Sequence, residues 1–278
     1  MQTSAIAFYS LVACAAAGVL GMLAQPLWLR WRRSRLRAGL FPTAWRRILR
    51  RRVPLFARLP ADLQLRLKQE MLVFLAEKPF LGCGGLEVTD DMRVMVAAFA
   101  CMPLLGARRG YYPAMQRVLL YPEAFVAQNN SVGEDGVHNE SLQAMAGQSW
   151  AQGQVLLSWH DVQQGALDPV DGHNVVIHEF AHQLDQSKGY ANGAPPLRTR
   201  QAYRCWSGVM QAEFDALHQR LAQGEEGLIE AYAATAPAEF FAVCSELFFE
   251  RGAEMAARHP ALYAELRGYY RVNPLSWS

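Results

Sequence analysis

VVIHEFAHQLD, residues 175–185, is the stretch on which the reading of this chain turns. As a helix it sets His178 and His182 one turn apart on one face, so both imidazoles can converge on a single ion at about 2.0–2.1 Å. Glu179 follows the first histidine and projects beside that ion, where it can hold a water and take its proton. Val175, Val176, Ile177, Phe180, Ala181 and Leu184 surround the polar face with apolar side chains, the pattern of a buried helix. Two histidines and a glutamate in such a helix need partners, because unpaired polar groups are costly to bury. The motif therefore predicts one Zn2+ per chain, with His178 and His182 as ligands and Glu179 as general base for amide hydrolysis.

A catalytic zinc takes a third protein ligand and leaves the fourth position to water. An HExxHxxGxxH arrangement is excluded, because Asp185 and Lys188 stand where its glycine and last histidine would be. Asp185 is better placed to hydrogen-bond a ligand imidazole or a helix neighbour than to bind metal. Glu239 and Glu246, seven residues apart on one face of a later helix, are the remaining candidates. Glu239 is favoured as the ligand, with Thr235 as N-cap and Pro237 in the first turn. Glu246 is left to an orienting or structural role. His173 falls off the ligand face, and His138, His218 and His259 show no ligand spacing. His160 and Asp161 read as loop or cap residues. Tyr111 and Tyr112 either line the cleft or pack beneath it.

Outward from this motif the chain is mostly helical after Asp171, with breaks at GYANGAPP (189–196), Pro237 and Pro260. Upstream, a helix from Leu59-Pro60 to about Glu77 is expected, then a short strand at Leu86–Val88. Thr89 should cap the helix DDMRVMVAAFACMPLL. RVLLYP (117–122) and QVLLSW (154–159) have strand composition, separated by a polar stretch at 128–148. Gln154–Trp159 is either an edge strand able to pair with an extended peptide or an internal one. The fold class is α+β, with a small sheet and a helical C-terminal half.

Charge is divided unevenly along the 278 residues. Residues 1–58 carry eleven arginines and no acid, while the whole chain has 27 basic and 25 acidic residues and a net charge of +2. The body is therefore acidic, which argues against direct nucleic-acid binding. Five scattered cysteines form no CxxC pair, which excludes a cysteine zinc knuckle and a thioredoxin-like site, and they fit a reducing compartment. Ala5–Ala24 is free of charge and, as a helix, spans roughly 30 Å. Trp28, Trp31 and the arginines after them lead to the expectation of an N-terminal transmembrane anchor (1–29), a basic juxtamembrane segment (30–58) and a catalytic domain (59–278). By the positive-inside rule, the chain would then be a single-pass inner-membrane protein with its catalytic domain in the cytoplasm, or cytosolic if the segment is not inserted. Arg46–Arg52 could lie on a membrane as a basic amphipathic helix.

Longer runs carry a family resemblance. DGHNVVIHEFAHQLD (171–185), YANGAPPL (190–197) and AEFFAVCSELFF (238–249) resemble the Mlc titration factor A family of zinc peptidases. Residues 77–105, 111–126 and 155–162 are similar to it as well, so the resemblance covers about 59–272. It is similar in active-site layout to the catalytic domain of anthrax lethal factor, a gluzincin, and so implies a zincin-like metallopeptidase domain. The resemblance implies His178, His182 and Glu239 as ligands, Glu179 as general base, and Tyr232 as the group that steadies the oxyanion. It implies a peptide or protein substrate, with an aminopeptidase-like preference. It also implies a second class of function, a regulatory binding protein that sequesters a transcription repressor while proteolysis is incidental.

Overall fold

The computed structural model describes residues 2–106, 111–123 and 153–277. The chain divides into two compact units, Met1–Leu40 and Phe41–Ser278.

The first unit is built on one helix of 36 residues, α1 (Gln2–Arg37). Among the described residues no helix is long and apolar enough to cross a membrane. This overturns the expected transmembrane anchor, and with it the single-pass inner-membrane placement. Alanine and glycine fill seven of the twelve positions from Ala13 to Ala24, so little apolar area accrues per residue. Gln25 and Pro26 follow, and arginine begins at Arg30. Trp28 and Trp31, read as interfacial anchors, instead lie one turn before guanidinium groups. Arg32 Cζ is 5.9 Å from the Trp28 ring centre and Arg35 Cζ is 5.6 Å from that of Trp31.

The second unit opens with α2 (Thr43–Arg52), α3 (Pro54–Arg58) and α4 (Ala61–Glu77). The basic helix α2 is amphipathic as its sequence suggests. It buries Leu49 against the body and leaves Arg46, Arg47, Arg50 and Arg51 exposed. Trp45 donates its indole N–H to Asp90 at 3.1 Å, and Arg52 lies 3.8 Å from Asp91. Both acids belong to the first turn of α5 (Asp90–Cys101), the helix on which α2 packs. Thr89 caps α5 as expected, its hydroxyl accepting the Met92 N–H at 3.4 Å.

Three short strands form a parallel sheet in the order β1 (Phe80–Gly82), β2 (Arg117–Tyr121), β3 (Gln154–Ser158). The two later strands fall where their composition put them. The first does not, because β1 precedes Leu86–Val88. Phe80 and Gly82 register with Val118 and Leu120, and a turn through Gly84 and Gly85, both at positive φ, takes the chain off the sheet before Leu86. Among the described residues β3 has only β2 beside it. The polar stretch 128–148, with His138, lies outside the described residues.

The C-terminal half is helical: α6 (Trp159–Leu167), α7 (Val175–Asp185), α8 (Arg200–Ala222), α9 (Pro237–Glu250), α10 (Gly252–Arg258) and α11 (Pro260–Tyr270). Pro237 and Pro260 each occupy the first turn of a helix, where the missing N–H costs nothing. Ser158 caps α6 by accepting the Asp161 N–H, which makes Asp161 a first-turn residue. Every residue of α9 from Glu239 to Glu250 is buried. This helix and α7 pack together as the centre of the unit. On its other side α7 inserts Phe180, whose ring centre lies 4.7 Å from that of Tyr112 and 5.6 Å from that of Phe74. Tyr111 and Tyr112 are both buried, which favours the packing role over a place in the cleft wall. The α+β organisation read from the sequence is present: a small sheet, then a helical half that carries the motif.

Candidate metal centre

Helix α7 starts at Asn174, whose side-chain oxygen accepts the Ile177 N–H at 3.1 Å. This start places Val176, Ile177, Phe180, Ala181 and Leu184 in the core. The same winding turns His178 and His182 toward the first turn of α9. His182 is fully buried, and the His178 and Glu239 side chains are 14% and 10% exposed. His178 Nε2 lies 3.0 Å from Glu239 Oε2 and 3.2 Å from His182 Nε2, and His182 Nε2 lies 3.4 Å from Glu239 Oε2. Glu239 comes from the N-terminal turn of α9, where the unpaired N–H groups favour a carboxylate.

The three donors fit a divalent ion on their geometry alone. Ligands at 2.0–2.1 Å around a tetrahedral ion are separated by about 3.3 Å, and the three separations here straddle that value. Tautomer assignment agrees. His178 Nδ1 is 2.7 Å from Glu246 Oε1; with a proton on Nδ1 directed to that carboxylate, the Nε2 lone pair would be available to an ion. Electrostatics point the same way. Burial opposes a charge on His178, but Glu246, Glu239 and Glu179 outweigh it and push its pKa well above the ordinary histidine value. Burial would raise Glu239, yet the hydrogen bonds and charge of His178 and His182 hold it far below the usual carboxylate range. Negative charge thus presses on the imidazoles, the field that favours a cation between them. His178, His182 and Glu239 form a group that could hold a metal ion.

Glu179 is half-buried on the same turn as His178. Tyr232 sits in a 3₁₀ turn, Ala231–Ala234, is 37% exposed, and has its ring centre 6.1 Å from that of His178. Thr235 is not the cap of α9. That position falls to Ala236, and the Thr235 hydroxyl donates to the Tyr232 carbonyl at 2.8 Å, tightening the turn that presents the tyrosine. His173 is exposed and faces Glu230 at 3.4 Å. His259 pairs with Glu213 at 2.7 Å, away from this cluster.

The Asp185 side chain is turned to the loop that follows its helix. Its Oδ2 accepts the N–H groups of Asn192 at 2.8 Å and Gly193 at 2.6 Å. Gly193 has φ +77°, and a Cβ there would lie 2.4 Å from the Pro237 carbonyl oxygen. Trp206, fully buried on α8, donates to the Gly193 carbonyl at 2.8 Å. A clamp of Asp185, Gly193 and Trp206 therefore wedges the 190–197 loop against the start of α9, where Glu239 stands. Sequence reasoning missed Gly193 and Trp206. The NG pair at 192–193 was the available signal, since it marks a turn that needs positive φ.

Comparison with known proteins bears on this geometry. The family described as glucose-regulated metallo-peptidase M90 matches residues 28–271. An uncharacterized protein of Synechocystis is 37% identical over 262 residues, covering 92% of this chain and 95% of that protein. Proteins named Mlc titration factor A from Yersinia pestis and Yersinia pseudotuberculosis are 32% identical over 252 residues, covering 90% of this chain and 91% of theirs.

Proposed function

The chain belongs to the glucose-regulated metallo-peptidase M90 family, and from that premise we propose that it is a zinc-dependent peptidase whose ligands are His178, His182 and Glu239. The observation that carries the proposal is the convergence of two imidazole nitrogens and one carboxylate oxygen within 3.0–3.4 Å of one another, with Glu179 on the same helical turn. Bound zinc would supply Lewis acidity, polarising the scissile carbonyl and acidifying a water. Glu179 takes the proton of the attacking water and later delivers it to the leaving amine. Tyr232, on the exposed side of His178, donates its hydroxyl to the oxyanion of the tetrahedral intermediate. Glu246 keeps the His178 proton on Nδ1, so that Nε2 stays a lone-pair donor. The substrate is a peptide or protein, with preference for short chains or amino-terminal residues.

The test is hydrolysis of a panel of amino-acid anilides and internally quenched peptides by the full chain and by Glu179→Gln, with zinc content measured on the same samples. Activity that vanishes in a folded, zinc-loaded Glu179→Gln supports the proposal. No bound zinc in the wild type would end it.

A second reading draws on the relatives named Mlc titration factor A. In it the chain titrates a transcription repressor by binding, and hydrolysis is incidental. Glu179→Gln separates the two, because it should abolish cleavage and leave a binding function intact.

A further inference from the structure

The turn leading into α7 is packed without slack. Gly172 has φ +89°, and a Cβ there would lie 2.8 Å from a methyl carbon of Leu247 on α9. Gly165 on α6 has no more room, since a Cβ would come within 2.8 Å of the His173 carbonyl oxygen and 3.1 Å of Asn174 Cα. Between these contacts Asn174 is 2% exposed, and each of its hydrogen-bonding groups is engaged. Its side-chain oxygen caps α7 at Ile177, and its carbonyl accepts the His178 N–H at 2.9 Å. Its Nδ2 donates to the Gly165 carbonyl at 3.2 Å and to Glu250 Oε1 at 3.0 Å. Its backbone N–H donates to Glu246 Oε2, and the other oxygen of Glu246 meets His178 Nδ1 at 2.7 Å.

A helix cap requires only the side-chain oxygen, which serine or aspartate would supply equally well. The amide Nδ2 is what they lack, and it is spent on α6 and α9, outside the cap. Together with the backbone N–H it ties two consecutive turns of α9, at Glu246 and Glu250, to the start of the helix that carries both histidines. We infer that Asn174 is the positioning residue of the His178 ligand: by holding Glu246 and Glu250 it fixes the angle at which Glu246 meets the imidazole. The inference rests on the proposed metal centre, in which His178 is a ligand. Carboxylates that orient ligand histidines set their tautomer and direction, and loss of such partners typically weakens metal binding 10–100-fold.

The test uses the full chain, zinc affinity measured against a competing chelator, the visible absorption of the cobalt-substituted protein, and circular dichroism of the metal-free protein. Asn174→Ser keeps the cap and removes both amide donors. It is expected to bind zinc more weakly than the wild type, by less than the roughly 10–100-fold of losing Glu246 itself, and to shift the cobalt ligand-field bands. Glu250→Met leaves Asn174 and the cap in place and takes away the acceptor that Nδ2 holds on α9. It is expected to shift the cobalt bands in the same way as Asn174→Ser. Glu250→Gln alone still offers Asn174 an acceptor and should bind zinc as the wild type does. A folded Asn174→Ser with wild-type affinity and an unchanged cobalt spectrum overturns the inference. Should Asn174→Ser not fold, Glu250→Met decides: shifted bands uphold the inference, and a wild-type spectrum in the folded protein overturns it. A wild-type chain that takes up neither zinc nor cobalt counts against the metal centre itself, so the two failures are told apart.

Discussion

Replacing Phe180 by alanine tests how the motif helix is seated. The ring is fully buried, on the side of α7 away from the ligand cluster. It makes edge contacts with Tyr112 at 4.7 Å and Phe74 at 5.6 Å between ring centres. Truncating a buried phenylalanine to alanine costs about 3–5 kcal/mol in lost transfer energy and cavity formation. The two edge contacts place this site at the upper end, since each aromatic pair contributes about 0.5–1.5 kcal/mol beyond its area. In a chain of this size the loss corresponds to a fall in melting temperature on the order of 10 °C. Phe180→Leu keeps most of the volume and loses the edge contacts, for about 1–2 kcal/mol. Urea unfolding of the metal-free chain, followed by tryptophan fluorescence, measures both. The alanine variant should also retain zinc poorly, because the loosened helix carries both histidines. A loss below about 1 kcal/mol for alanine, or equal losses for alanine and leucine, would refute the seating of α7 on Phe74 and Tyr112.

Three further outcomes are expected. Glu239→Ala should reduce zinc affinity more than Glu246→Ala, which should cost roughly 10–100-fold in chelator competition; the reverse order would exchange their roles. Glu250 should give stability a pH slope. Burial pushes its pKa up to about 8 from 4.5, with the Asn174 hydrogen bond opposing and the charges of Asp171 and Glu246 adding. The folded chain therefore holds this proton more tightly than the unfolded one, and stability falls as pH rises from about 4.5 to 8. Glu250→Gln should match wild type near pH 4 and exceed it by roughly 5 kcal/mol near pH 9 in denaturant titrations; equal stability at both ends would count against the buried acid. Gly165→Ala should destabilise the chain by about 1–3 kcal/mol, since the added methyl meets backbone at 2.8 Å. It should also weaken zinc binding through the displaced His173–Asn174 turn, which thermal melting and chelator competition on one sample would show.

What was legible in the sequence is what depends on neighbours along the chain. The i, i+4 spacing of His178 and His182 fixes their common face in any helix, and the apolar residues between them fix which face is buried. Thr89 as a cap and the strands at 117–121 and 154–158 are local in the same sense. The first strand was misplaced because pairing selected it. Phe80–Gly82 finds β2 as its partner, and the double glycine turns Leu86 away. The N-terminal run misled for another reason: absence of charge was counted, and the small apolar area of alanine and glycine was not. Asn174 read as an ordinary cap, because its bonds to Glu246 and Glu250 span 72 and 76 residues. The Asp185 clamp was hidden likewise, since Gly193 matters only once α9 is pressed against it.

Glu239 enters the cluster from 61 positions beyond His178 along the chain. During synthesis, therefore, the histidine pair leaves the ribosome well before its carboxylate does, and a chain arrested between them has two thirds of the donor set. Capture of an ion by all three would report that the two halves have met. On the proposed function, a nascent or misfolded polypeptide would lack the complete site. The three donors are together only when this long-range contact has closed.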